Sequence, residues 1–231
     1  MLESQFTIQV IRKTTPEAVK LNIFARINTG GVPLSPQELR HALTPGPASG
    51  LLRDLAGSEA LSDAVAHSVS PTRMADREMV LRYLAFRLED PLTYRNQDFD
   101  DFLRTTMKRI NAWNRETSNR WQSEFIATMR ASERIFGDDA FRKRYSAKDP
   151  RRPVSKALFE AVAVAIASLA ESRGGDPLER LVARSSDVRE RFIALMADRE
   201  FDRSVSQGTG DPRSVRYRFR RTIELMNDAG G

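Results

Sequence analysis

Apolar residues recur every three or four positions along most of this chain, which is typical of amphipathic helices. The pattern predicts helices at residues 71–88, 99–113, 121–136, 155–172 and 214–227, and shorter ones at 51–56, 60–67, 177–184 and 187–199. A polar loop is predicted at 204–212. Residues 6–11 instead alternate apolar with polar side chains and predict a strand. The predicted fold class is mainly α, a multi-helix domain with a small N-terminal β element.

The strongest local signal lies in residues 24–40. Asn28-Thr29-Gly30-Gly31 predicts a turn, because glycine adopts positive φ without strain. Ser35 then predicts an N-cap, with Pro36 at the first helical position and Glu38 completing a capping box. By chemistry alone the turn has two interpretations. Its consecutive N–H groups can bind a phosphate, or it only joins two helices.

The same stretch resembles the signature of a known family. Members carry Phe-x-Arg-Ile-Asn-Thr-Gly-Gly-x-x-Leu-Ser-x-x-Glu-Leu/Ile-Arg, and residues 24–40 match this run without a gap. Residues 151–160 and 208–219 also look like this family. It is the N-terminal domain of GmrSD-type modification-dependent restriction endonucleases, also called domain of unknown function 262.

The resemblance implies a ParB-like domain associated with nucleotide hydrolysis and DNA processing in defence against phage. It assigns a nucleotide or phosphate pocket to the turn, made by Arg26, Asn28, Thr29, Gly30 and Gly31. The family's catalytic hallmark is an Asp-Gly-Gln-Gln-Arg motif upstream of that turn, and no Asp-Gly pair occurs in this chain. We therefore predict no catalytic residue and expect the latter, helical portion of such a domain, inactive alone.

Three regions are predicted along the chain: a remnant of the ParB-like domain at 1–45, a helical lobe at 46–145 and a basic helical lobe at 146–231. The charged, proline-bearing stretch 146–153 marks the boundary between the lobes. The implied partners are DNA and a missing N-terminal segment or nuclease domain. A complete protein of this kind uses an NTP with Mg²⁺, whereas this chain is predicted to hold no cofactor or metal of its own.

The net charge of +6 is unevenly distributed. Residues 1–140 hold 18 basic and 18 acidic side chains, while 141–231 hold 19 basic and 13 acidic. Two clusters, at 142–156 and 213–221, carry the excess and attract phosphate backbones. The candidate nucleic-acid-binding residues are Arg142, Lys143, Arg144, Arg151, Arg152, Arg216, Arg220 and Arg221. The alternative is a solvated basic face, and for 216–221 an amphipathic helix docked on the core.

The amino-acid composition excludes several kinds of site. The absence of cysteine excludes disulfides and thiolate metal sites, and two histidines are too few for most histidine-based sites. No apolar run reaches the ~20 residues that span a bilayer, and no signal peptide is present, so we expect a cytoplasmic protein. The predicted function is part of a modification-dependent restriction or phage-defence protein of the NTP-dependent endonuclease family. The alternatives are a non-enzymatic nucleic-acid-binding helical module and a helical protein-interaction scaffold.

Overall fold

The computed structural model describes residues 10–12, 14–15, 19–20, 23, 33–172 and 177–230. These ranges contain eleven α-helices and no strand beyond an isolated bridge between Arg142 and Val154, which confirms the mainly α prediction. The helices are α1 (Pro36–Leu43), α2 (Pro47–Ala56), α3 (Glu59–Ala64), α4 (Ala75–Leu88), α5 (Phe99–Asn111), α6 (Arg115–Phe136), α7 (Lys156–Ser172), α8 (Pro177–Ala183), α9 (Ser185–Met196), α10 (Arg199–Ser206) and α11 (Pro212–Gly230).

The predicted strand at 6–11 has only its last two residues within the described ranges, and neither is assigned to a strand. The turn at 28–31, together with Arg26, lies outside them. The capped helix that follows is confirmed. The Glu38 N–H donates to Ser35 Oγ at 3.1 Å, and the Ser35 N–H donates to Glu38 Oε2 at 2.6 Å. The capping box therefore fixes where α1 begins.

Three helices differ most from the prediction. Helix α2 starts at Pro47 rather than at 51. Helix α6 starts at Arg115 rather than at 121, because Asn114 caps it by accepting from the Thr117 N–H at 2.8 Å. Helix α10 spans the end of the helix predicted at 187–199, residues 200–203 for which no element is predicted, and the start of the predicted polar loop. Its buried side chains, Phe201, Ser204 and Val205, form too short an apolar signal to stand out from the polar composition around them.

Helix α7 lies at the centre of the fold, in contact with α4, α6 and α11. Its side chains from Ala157 to Ala167 are all buried, as predicted for a core helix. Aromatic rings continue the core toward α11, where Phe219 lies 4.6 Å from Phe86 between ring centroids. A single hydrophobic cluster joins side chains from residues 48–141 with side chains from 157–229. The division into two helical lobes stays a prediction.

A chain of ion pairs runs through this core. Glu160 on α7 binds Arg218 on α11, and both side chains are fully buried. The other Glu160 oxygen accepts from Arg82 at 3.1 Å, and Arg82 reaches Glu78 at 2.8 Å. Because buried charges require partners, these contacts fix how α11 is oriented on α4 and α7. In the part of the chain that is described, no helix combines the length and the apolar character needed to cross a membrane.

Candidate functional site

The first basic cluster, at 142–156, begins with an arginine that is buried. Arg142 is 2% exposed. Its Nε donates to the Asp138 carbonyl at 2.8 Å, and its Nη2 donates to the Val65 carbonyl at 2.9 Å and to Ser68 Oγ at 2.6 Å. Burial and the neighbouring Arg151 lower the pKa of its guanidinium. This corrects the expectation that Arg142 faces a nucleic acid: it joins the loop after α3 to the segment after α6.

The other four candidate nucleic-acid-binding residues of that cluster each lie beside a carboxylate. The nitrogen to oxygen distances are 3.0 Å for Lys143 to Asp202, 3.2 Å for Arg144 to Asp139, 3.7 Å for Arg151 to Asp138 and 3.9 Å for Arg152 to Asp149. Arg152 also lies over the Tyr145 ring at 5.0 Å. The positive charge of this cluster is therefore largely balanced within the protein.

The second basic cluster lines an open groove. Three adjoining clefts of about 760, 580 and 570 Å³ share lining residues along the N-terminal half of α11. We call their arginines the groove arginines: Arg95, Arg199, Arg203, Arg213, Arg216 and Arg220. Only two acidic side chains, Glu200 and Asp211, line the same three clefts. The groove thus carries an excess of four positive charges.

Two N-caps build the walls of this groove. Asp198 Oδ1 accepts from the Glu200 N–H at 2.8 Å and the Phe201 N–H at 3.2 Å, which starts α10. Asp211 Oδ1 accepts from the Arg213 N–H at 2.8 Å and starts α11. With both helix starts fixed, Arg199 and Arg203 on α10 come to lie in the same cleft as Arg213 on α11.

Asp198 also ties α10 to α11 through its second oxygen. Oδ2 accepts from the Tyr217 hydroxyl at 3.0 Å and from Arg221 Nη1 at 2.6 Å. The Phe201 N–H and the Arg221 and Tyr217 hydrogen bonds hold the pKa of Asp198 below its usual range. Burial, with the hydrogen bond to Asp198, raises the pKa of Tyr217, so its hydroxyl stays protonated. The Arg221 guanidinium is therefore paired with a carboxylate of the protein, whereas Arg220 forms no ion pair among the described residues.

The groove arginines differ in how they are held. Arg216 donates from Nη1 to the Tyr94 carbonyl at 2.7 Å, a neutral acceptor that leaves its charge uncompensated. Arg213 is 85% exposed and lies 3.6 Å from Glu200. Within the described ranges the remaining groove arginines form no ion pair, and all of these are exposed: Arg95, Arg199, Arg203 and Arg220.

Of the predicted nucleic-acid residues, the structure thus brings Arg216 and Arg220 together in the groove, whereas Arg221 lines none of its three clefts. Arg95, Arg199 and Arg203 were not among the predicted residues. Arg199 and Arg203 are spaced i, i+4, which places them on the same face of a helix. This spacing predicts a shared surface only when residues 199–206 are known to be helical. No local pattern identifies Arg95, which is brought to the groove by the loop after α4.

The predicted nucleotide pocket falls on residues 26–31, outside the described ranges. The end of the same motif is described, and there Arg40 is 4% exposed. Its Nε donates to Gln37 Oε1 at 2.9 Å, and its other nitrogens bind Asp100 and lie 3.7 Å from Glu78. Across the described ranges, no three His, Asp or Glu side chains are grouped so that they could hold a metal ion.

Comparisons with protein-family models, with curated proteins and with solved structures give no match to this chain.

Proposed function

We propose that this protein binds nucleic acid along the groove between α10 and α11. The observation that carries the proposal is the charge of this groove, where six arginines and two acidic residues line three adjoining clefts. Unlike the cluster at 142–156, the groove arginines are mostly free of carboxylate partners. A concentration of uncompensated positive charge in a concave surface is typical of sites that bind a phosphate backbone.

The residue type and spacing support a phosphodiester ligand. Arg213, Arg216 and Arg220 follow one another at i, i+3 and i+7 and so lie on one face of α11, spanning about 10 Å along its axis. Guanidinium groups bind phosphate oxygens bidentately, which favours arginine over lysine for this task. Arg199 and Arg203 add a second row across the cleft. Two rows of guanidinium groups favour a chain of phosphates over a single anion.

The test compares two variants with the same change in net charge. One replaces three groove arginines, Arg199, Arg203 and Arg220, by glutamine. The matched control replaces Lys143, Arg151 and Arg152 by glutamine, three members of the 142–156 cluster that each lie beside a carboxylate. Binding to fluorescein-labelled DNA is measured by anisotropy over a range of NaCl concentrations, because each phosphate contact contributes about −0.9 to the slope of log K against log salt for duplex DNA.

We expect the groove variant to bind more weakly and to lose up to about 2.7 from the magnitude of that slope, while the control keeps the wild-type slope. Equal losses in both variants would mean that net charge, and not the groove, attracts DNA. No measurable binding by the wild-type protein would remove this proposal and favour a protein-interaction scaffold.

A second proposal rests on the family resemblance of residues 24–40. In it the chain is part of a modification-dependent restriction protein, cytoplasmic and active in phage defence, whose NTP and Mg²⁺ chemistry requires the Asp-Gly-Gln-Gln-Arg segment. What supports it is the structural use of the motif's end: Ser35 and Glu38 cap α1, and Arg40 is anchored in the core. These roles explain why a motif would keep those residue types beside a ligand-binding turn.

Nucleotide binding tests this second proposal. We expect the wild-type chain to bind a fluorescent ATP analogue in the presence of Mg²⁺, and Asn28→Ala combined with Gly31→Ala to abolish that binding while the circular dichroism spectrum is retained. If the double variant binds the analogue as the wild type does, the turn is not a nucleotide pocket. If the wild type binds none, the enzyme-derived pocket has no support.

A further inference from the structure

The middle of the groove holds an aromatic ring as well as arginines. Tyr217 lines both the 760 Å³ cleft and the adjoining 570 Å³ cleft. On α11 it follows Arg213 by four residues and precedes Arg220 by three, so it shares their face of the helix. Its ring is only partly buried, and the Arg220 guanidinium lies 5.8 Å from its centroid. From these contacts, and resting on the proposed function, we infer that the groove selects single-stranded nucleic acid and that Tyr217 stacks on an unpaired base.

Tyr217 is held in place before any ligand arrives. Its hydroxyl donates to Asp198 Oδ2 at 3.0 Å and accepts from Arg221 Nη1 at 3.0 Å. Arg221 Nη1 in turn binds the same Asp198 oxygen at 2.6 Å. These three side chains fix the tip of the ring, which lines both clefts, and the Arg221 guanidinium also lies 5.8 Å from the ring centroid. Stacking on a ring that is already ordered costs little side-chain entropy, which strengthens binding.

The shape of the groove favours a single strand over a duplex. A helix that reads the major groove has to protrude so that the DNA can surround it on three sides. Helix α11 instead lies between its neighbours α7, α8, α9 and α10, with Val215, Phe219 and Thr222 buried. Its arginines line clefts, and a cleft receives the bases and phosphates of a flexible strand rather than the convex surface of a duplex. Base faces are also open for stacking only where they are unpaired.

The charge of α11 also limits the ligand to a short segment. The exposed side chains of the helix are basic at Arg213 and Arg220 and become acidic at Glu224 and Asp228. Phosphates that follow the helix axis are therefore attracted over its first turns and repelled beyond them. A strand of a few nucleotides fits the basic part.

The test measures anisotropy of two fluorescein-labelled ligands, a twelve-residue oligo(dT) and a hairpin whose twelve-base-pair stem is closed by a non-nucleotide linker, with wild type, Tyr217→Leu and Tyr217→Phe. We expect wild type to prefer the oligo(dT). Tyr217→Leu, which keeps apolar volume but removes the ring, weakens oligo(dT) binding roughly 5- to 150-fold and leaves hairpin binding nearly unchanged. Tyr217→Phe keeps the ring and removes only the contacts of the hydroxyl to Asp198 and Arg221, so it weakens oligo(dT) binding less than Tyr217→Leu does.

The outcomes separate this inference from the proposed function. If both ligands bind equally well and Tyr217→Leu changes neither, the groove binds nucleic acid without the single-strand selection, and the inference is overturned. Preference for the hairpin overturns it in the same way. If neither ligand binds wild type, both the groove function and this inference fail.

A second measurement covers the case in which Tyr217→Leu does not fold, as judged by circular dichroism. Base stacking quenches indole fluorescence, so Tyr217→Trp is titrated with oligo(dT) and with the hairpin, and the signal of Trp113 and Trp121 is subtracted with wild-type protein. Quenching by oligo(dT) alone supports stacking at this position. Binding of oligo(dT) without quenching overturns it.

Discussion

Glu160 and Arg218 form an ion pair in the centre of the core, with 0% of either side chain exposed. Their surroundings are asymmetric. Glu160 also accepts a hydrogen bond from Arg82 at 3.1 Å, whereas two nitrogens of Arg218, Nε and Nη1, are buried without a hydrogen-bond partner among the described residues. Glu160 therefore has two cationic partners, and Arg218 depends on Glu160 alone.

This asymmetry predicts unequal effects of removing the two charges. Glu160→Gln leaves Arg218 buried without a counter-charge, and we expect a loss of about 3–5 kcal/mol in the free energy of unfolding. Arg218→Met costs less, because Glu160 remains paired with Arg82 and the new side chain fills apolar space. Urea unfolding followed by far-UV circular dichroism measures both. Equal losses, or a larger loss for Arg218→Met, would show that Glu160 is not the shared partner in solution.

Much of the fold follows from the sequence because helices carry local signals. The capping box at Ser35 and Glu38, the glycine after Phe136 and the apolar run in α7 all predict their helices at nearly the observed positions. Helix α10 is not predicted because its apolar stripe consists of only two residues, Phe201 and Val205, in an otherwise polar segment, and its stability comes from burying them against the core. Short helices of this kind are not specified by local pattern.

The candidate site was predictable only in part, since charge density along a sequence does not show where side chains point. The cluster at 142–156 and the cluster at 213–221 look alike in sequence, yet Arg142 is buried and Arg220 is exposed. The carboxylates that balance the first cluster include Asp202, which is distant in sequence. Which cluster keeps a free charge is thus decided by the fold.

Asp198 predicts a dependence of stability on pH. Its folded-state pKa is lowered, so it lies below the unfolded value of about 3.9. A lowered carboxylate pKa contributes stability that is present in full above the unfolded pKa and is lost as pH falls through the folded pKa. Asp198→Asn keeps the N-cap oxygen but removes the charge that holds Tyr217 and Arg221. We expect this variant to be less stable than wild type at neutral pH, with a difference that shrinks toward zero in acid.

Urea unfolding at several pH values between neutral and acid measures that difference. Asp228→Asn, which changes an exposed carboxylate on α11, is the control for a general charge effect. A destabilisation by Asp198→Asn that stays constant at every pH would contradict the predicted role of the charge, and would assign the loss to the cap alone.

Gly46 and Gly50 lie close together in sequence, but replacing each by alanine is predicted to change the free energy of unfolding in opposite directions. Gly46 precedes α2 with φ of +149°, and a Cβ there would lie 2.4 Å from Asn111 Oδ1. That oxygen accepts from the Ala48 N–H at 2.8 Å and so caps α2 from another helix. Gly46→Ala combines backbone strain with the loss of this cap, and we expect it to lower the free energy of unfolding by about 1–3 kcal/mol.

Gly50 lies inside α2 with nothing within 4 Å of an added Cβ, and Gly50→Ala is expected to raise the free energy of unfolding by about 0.5–1 kcal/mol. Urea unfolding of both variants tests the pair, and stabilisation by Gly46→Ala would show that Asn111 does not cap α2.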